Sequence, residues 1–229
     1  VSTLRLLRSI LEVARNDGRI HANRAHGVSA GRIPERERHR YLTAPEVAAL
    51  AAACKDQGDL VTILAYTGLR RSELVGLCVG NIDLAARRLH VRRAAPDVEG
   101  RVIIGPPLTR AAKRTVPLRK VVIDTLKPRA AGRSPDEPAI TSPNGAMLRS
   151  NSWRRYAHWS QALRTTNVAP LTIHDLRHTY ASLARKSGAE LRYVQKTMGD
   201  STPTATANIY SDIYADEVDP RSHEPRPPQ

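Results

Sequence analysis

Three short stretches hold residues suited to work on a phosphate. His174-Asp175-Leu176-Arg177-His178 opens a segment with helical periodicity. His174 and Arg177 are three apart, so on a helix they share a face. In the first turn they would add to an N-terminal field that favours an anion. An imidazole and a guanidinium aimed at one point suit phosphate oxygens. The second stretch is Thr67-Gly68-Leu69-Arg70-Arg71-Ser72-Glu73-Leu74. Gly68 ends one helix and the chain re-enters another at once, which holds Arg70 at a corner anchored by Leu69 and Leu74. A plainer reading has Arg70 paired with Glu73, three residues on. The third is Thr206-Ala207-Asn208-Ile209-Tyr210-Ser211-Asp212-Ile213-Tyr214. A phenol ordinarily titrates near ~10, and two neighbouring arginines would favour both the phenolate and the charge of a transition state.

A metal helix is the rival reading, because His174 and His178 stand four apart. The H-E-x-x-H pattern needs Glu in second place and a third ligand further on. Here the second residue is Asp175, and the next histidine is His223, in the tail. Alternatively Asp175 and His178 only cap and pack the helix.

These residues need a scaffold, and the hydrophobic periods outline one. Residues 2 to 17 read as an amphipathic helix with Leu4, Leu7, Leu11 and Ala14 on one face, stopped by Gly18. One helix has no core of its own, so residues 1–27 are expected to be the end of another domain. An Arg- and His-rich stretch follows Gly18, and residues 28–40 read as a linker. Thr43 and Glu46 have capping-box spacing with Pro45 in the first turn, predicting a helix through Cys54. Helices are further predicted at 59–66, from Arg71, and at 119–127, 151–165, 173–187, 190–198 and 204–216. Between them, Leu89–Val91, Val102–Ile104 and Thr115–Leu118 are short β-type runs separated by Gly and Pro, predicting a small three-stranded antiparallel sheet. The order gives an α+β fold, mainly helical, over 41–216, and the Pro-rich tail 217–229 is expected to be disordered.

The chain has 229 residues, with 36 Lys+Arg against 22 Asp+Glu, a formal net charge of +14. That excess points to nucleic acid as the partner. The 41% hydrophobic content supplies a core, and with no Phe it must rest on Leu, Ile, Val and Ala. The longest apolar run, Val47 to Cys54, is far short of the ~18–20 residues of a membrane span. Cys54 and Cys78 sit in apolar surroundings and read as buried thiols in a reducing compartment, not as a disulfide framework.

In order and spacing, TGLRRSEL at 67–74, TVPL at 115–118, HDLRHTYASLA at 174–184 and the IY pair at 209–210 resemble the tyrosine recombinases, or phage-type integrases. The resemblance covers about residues 41 to 216, and residues 2 to 27 look like the end of the family's core-binding domain. It implies the fold of the integrase catalytic domain. It also implies that Arg70, His174 and Arg177 hold a DNA phosphodiester while Tyr210 attacks it. A 3′-phosphotyrosyl link forms, a 5′-hydroxyl leaves, and a second 5′-hydroxyl then exchanges the strands. It implies no metal or other cofactor, duplex DNA as partner, a tetramer on DNA, and a cytoplasmic, nucleoid-associated protein. Arg71, Arg110, Lys113, Arg114 and His178 are expected to contact DNA.

Two positions depart from the pattern. The family carries a catalytic Lys seven or eight residues before the Val of V-P-L, which here falls on Thr109 and Leu108. Arg110, Lys113 and Arg114 are near but out of register. The family's His or Trp after the Gly is here Asp200, in Met198-Gly199-Asp200. The expectation is therefore a weakened recombinase. A non-catalytic DNA-binding module of the same fold is the first alternative, and a metal-dependent hydrolase the second.

Overall fold

The computed structural model describes residues 2–29, 40–107 and 109–200. Leu108, Tyr210, Tyr214, the helix expected at 204–216 and the tail from 217 lie outside the described residues. Contacts divide the chain into two units, Val1–Arg38 and His39–Gln229.

The first unit is built on α1 (Ser2–Asn16), with Gly18 beyond its end at φ 70°. Residues 19–29 turn back on it. Asn23 Nδ2 donates to the Arg8 carbonyl at 2.9 Å and to Glu12 Oε2 at 3.0 Å, and Arg8 Nε donates to the Ala25 carbonyl at 2.9 Å. Asn23 and Ala25 are buried by this return, although few residues of the stretch are apolar.

In the second unit the capping box forms as the sequence predicts. Thr43 Oγ1 accepts from the Glu46 N–H, and Glu46 Oε2 accepts from the Thr43 N–H at 2.7 Å, starting α2 (Ala44–Ala53). α3 (Gly58–Thr67) follows and ends at Gly68, whose φ of 65° is left-handed. A Cβ there would lie 2.5 Å from the Tyr180 ring, so both the turn and the packing demand glycine. The chain re-enters α4 (Arg71–Val75) within three residues.

The three-stranded antiparallel sheet is present, but its membership differs from expectation. β1 (Ile82–Asp83) pairs with β2 (Arg88–Val91), and β2 pairs with the strand Arg114–Pro117. Leu89 faces Val116 across the ladder, and both are fully buried. The run from Val102 instead forms a separate hairpin, β3 (Asp97–Val98) with β4 (Arg101–Val102), around Glu99 and Gly100, which both have positive φ. Positive φ at both turn residues is the mark of a tight two-residue hairpin. Ile103 and Ile104 are half exposed, so this run is not a core strand. Arg114–Pro117 is β5.

Helices return as α5 (Lys120–Ala130), α6 (Ser150–Tyr156), α7 (Trp159–Thr165), α8 (Asp175–Lys186) and α9 (Leu191–Met198). The single helix expected at 151–165 is broken at His158, which adopts φ 46° as the N-cap of α7. The break brings the rings of Trp153 and Trp159 to 5.6 Å. Buried α3 is the axis of the unit, packed against α2, α5 and α8. Leu42, Leu50, Leu60, Leu64, Leu74, Leu89 and Leu176 are among the wholly buried residues, so leucine fills the core that phenylalanine does not. Cys54 and Cys78 are buried free thiols. Among the described residues no helix is long and apolar enough to cross a membrane.

Candidate active site

The site forms where the α3–α4 corner, β5, the start of α8 and the end of α9 meet. At the corner, Arg70 precedes α4 and Glu73 reaches back to it. Glu73 Oε2 accepts from the Arg70 N–H at 2.9 Å, and Oε1 accepts from Arg70 Nη1 at 2.9 Å. Both readings of Arg70 therefore hold at once: it is fixed at the corner, and it pairs with Glu73. That pairing leaves Nη2 directed at the end of α9. There it donates to the Gly199 carbonyl at 3.3 Å and to Asp200 Oδ1 at 2.9 Å.

Arg177 lies on the buried face of α8, only 3% exposed. Its Nη1 donates to the Gly68 carbonyl, tying α8 to the corner. Its Nη2 donates to the same Asp200 Oδ1 at 2.6 Å. Burial pulls the Arg177 guanidinium down to about 10, against the opposing charge of Asp200, so it stays a cation at neutral pH. Two guanidinium groups from two elements thus converge on one anionic oxygen, and Asp200 supplies that oxygen.

Glu73 and Arg114 form the frame behind this seat. Arg114 Nη1 and Nη2 donate to the two Glu73 oxygens at 3.0 and 2.8 Å, and its Nε donates to the Thr197 carbonyl at 2.5 Å. Burial alone would push the Glu73 carboxyl up; the hydrogen bonds and charges of Arg114 and then Arg70 reverse this, and its pKa is lowered. Arg114 is almost fully covered, with its side chain 5% exposed, so it faces Glu73 and not solvent. Its place is in the frame, whereas the sequence reading expects it to contact DNA. Gly199, at φ 69°, passes so close that a Cβ would meet Arg114 at 2.9 Å. The signal for the frame was the three-residue spacing of Arg70 and Glu73; nothing local marked Arg114 as Glu73's partner.

His174 is exposed at the N-cap of α8, next to Arg177 in the first turn. Its ring meets that of His178 edge-on, with centroids 4.9 Å apart. Asp175 caps the preceding loop, its Oδ2 accepting from the Thr172 N–H and Oγ1 at 2.7 Å each. Among the described residues no group of three His, Cys, Asp or Glu is gathered as a metal would need. Arg71 opens α4 half-buried, while Arg110 and Lys113 are exposed ahead of β5. Tyr210 and Leu108 lie outside the described residues.

Comparison with known proteins gives a consistent result. The model of the phage integrase family matches residues 40–217. The tyrosine recombinase XerD of Chlamydia trachomatis is 27% identical over 173 residues, covering 75% of this chain and 53% of that protein. The integrase of Mycobacterium phage D29 is 30% identical over 150 residues, covering 62% of this chain and 40% of that protein. The chain spans about half the length of the curated relatives it matches. Among solved structures, the Tn1549 transposon integrase in complex with a circular intermediate DNA shares the fold. It has a TM-score of 0.75 at 21% identity, covering 95% of this chain and 77% of that one. A lambda integrase tetramer bound to a Holliday junction matches with a TM-score of 0.63 at 21% identity, covering 92% of this chain and 58% of that one.

Proposed function

Because the chain belongs to the phage integrase family, we propose that it is the catalytic part of a tyrosine recombinase that breaks and rejoins duplex DNA. The observation that carries this reading is the convergence of Arg70 Nη2 and Arg177 Nη2 on a single oxygen, at 2.9 and 2.6 Å. An oxyanion bound there receives two charged donors preset by a buried frame, the arrangement that stabilises a phosphorane-like transition state. Tyr210 is the nucleophile. Its hydroxyl oxygen bonds to phosphorus, the bond to the 5′-oxygen breaks, and that oxygen leaves as a hydroxyl. A 5′-hydroxyl of a second strand then attacks the phosphotyrosine, restoring the phosphodiester and the free tyrosine. The covalent intermediate retains the energy of the bond it replaces, so rejoining needs no nucleotide. His174, beside Arg177, donates to the phosphate.

Asp200 sets the rate. Its carboxylate holds the place a phosphate oxygen needs, and the phosphate must displace it. With Leu108 at the position of the family's lysine, the leaving oxygen also lacks a donor there, an effect of roughly 10²–10⁴ in rate. The enzyme is accordingly slow. Strand exchange between two duplexes would take place in a tetramer on DNA, acting in the cytoplasm at the nucleoid. A DNA-binding module that no longer cuts is the second reading, and the closure of both arginines on Asp200 is what favours it.

Supercoiled plasmid separates these readings. Transient single-strand breaks let it relax, so a large excess of protein is expected to yield a ladder of intermediate topoisomers over hours, with a chelator present and no nucleotide added. Binding without relaxation supports the module. Relaxation that the chelator abolishes supports the hydrolase and contradicts the recombinase.

A further inference from the structure

Beside the Asp200 seat lies a second cleft, of about 240 Å³, which Arg70 does not line. Its walls are Arg71, Arg154, Thr172, His174 and Arg177, over Leu69 and Ile173. We propose that this cleft is a second phosphate seat, taking the backbone phosphodiester next to the one that reacts, with Arg71 and Arg154 as its positioning residues. The inference rests on the DNA reading above and adds Arg154, which no motif in the sequence marked.

Two further elements bring cations to the cleft, α4 with Arg71 and α6 with Arg154, while His174 and Arg177 at the start of α8 form the wall it shares with the reacting seat. Arg70 is the N-cap of α4, with extended backbone at φ −69° and ψ 148°, whereas Arg71 is the first helical residue. That is why Arg70 and Arg71, adjacent in one motif, serve different places. Arg70 turns to Asp200, and Arg71 turns into the cleft. Desolvation lowers the Arg71 pKa, Asp97 opposes it, and the like charge of Arg154 adds a smaller lowering. An anion entering between Arg71 and Arg154 would relieve the repulsion that remains between them. On the Arg177 side, the Asp200 carboxylate is already engaged by Arg70 and Arg177. The hollow has the volume of several waters at ~30 Å³ each, enough for a phosphodiester group with its flanking carbons. A strand held at two successive phosphates is fixed in register, so the seat would determine which bond faces Tyr210.

Two probes test this on the whole chain. Inorganic phosphate is titrated while the arginine side-chain N–H resonances are followed by NMR. Arg71 and Arg154 are expected to shift together along one binding curve, with Arg114, covered by Glu73, unmoved. In Arg154→Gln the Arg71 response should vanish; Arg154 is exposed, so this variant keeps its fold. Binding to a mixed-sequence duplex is then measured against salt. Arg71→Gln, Arg154→Gln and the double variant should each lower the slope of log K by the same ~0.9, the share of one phosphate. Unchanged slopes, or a double variant that loses twice as much as either single, would overturn the shared seat. Independent phosphate curves for the two arginines would do so as well. If phosphate titrates both arginines while the parent shows no salt-dependent DNA binding, the DNA reading fails and the anion seat remains.

Discussion

Glu73→Ala is expected to destabilise the fold by about 3–5 kcal/mol, the usual result of leaving one partner of a buried ion pair uncompensated. Glu73 is 3% exposed and the Arg114 side chain 5%, so bulk solvent has little access to Arg114 once the carboxylate is gone. Against a typical total of about 5–15 kcal/mol, that is a large fraction. Replacing both members with apolar residues, as Glu73→Leu with Arg114→Met, should recover most of it, since a buried pair and a packed apolar pair are often comparable. The same group sets an acid limit. The Glu73 carboxyl has a lowered pKa in the fold, so the stability it contributes is fully present above its unfolded value of ~4.3 and is lost as pH falls through the folded value. Urea melts at neutral pH and between about pH 5 and 3 should show the parent falling and Glu73→Gln starting lower and falling less. A Glu73→Ala melt equal to the parent's would remove the frame from the account.

Asp200→His is expected to speed strand cleavage by a decade or more. Unit charges about 4 Å apart interact by roughly 4 kcal/mol at an effective dielectric of 20. Asp200 is largely covered and bonded to both arginines, so its charge is only partly screened. A third of that energy, removed from the barrier, is a factor of about ten. Leu108→Lys supplies a proton donor, and the double variant should exceed either single. Single-turnover cleavage of parent, both singles and the double, at matched DNA occupancy, measures this. A parent that already cleaves quickly, with no change on Asp200→His, would show that the carboxylate does not restrain the reaction.

The parts of the fold that the sequence revealed are those where a local signal coincides with a local cause. The Thr43–Glu46 capping box, the Gly68 stop and the α8 periodicity are of this kind, and each lies where its residues predict it. The run 102–104 differs from expectation because three apolar residues do not reveal a partner: only Val102 is in a strand, and Arg101–Val102 pairs with Asp97–Val98 in a hairpin of its own. The break at His158 was not visible, since nothing in Trp153–Thr165 interrupts the helical pattern. In the site, spacing revealed Arg70 with Glu73 and His174 with Arg177, because those pairs lie within one turn. The bonds from Arg114 to Glu73 and from Asp200 to both arginines join residues 23 to 130 apart in the chain, and only the fold brings them together. Arg154 was silent for the same reason.

The central claim is that Tyr210 becomes covalently joined to DNA. The direct measurement uses a pool of nicked duplexes of randomised sequence, in which the short cleaved fragment diffuses away and traps the intermediate. Denaturing gels and peptide mapping follow. The account predicts a protein–DNA adduct that maps to Tyr210, is stronger in Asp200→His, is absent from Tyr210→Phe and persists in Tyr214→Phe. DNA that is bound but never joined, in the parent and in Asp200→His alike, or an adduct that maps to Tyr214, would contradict it.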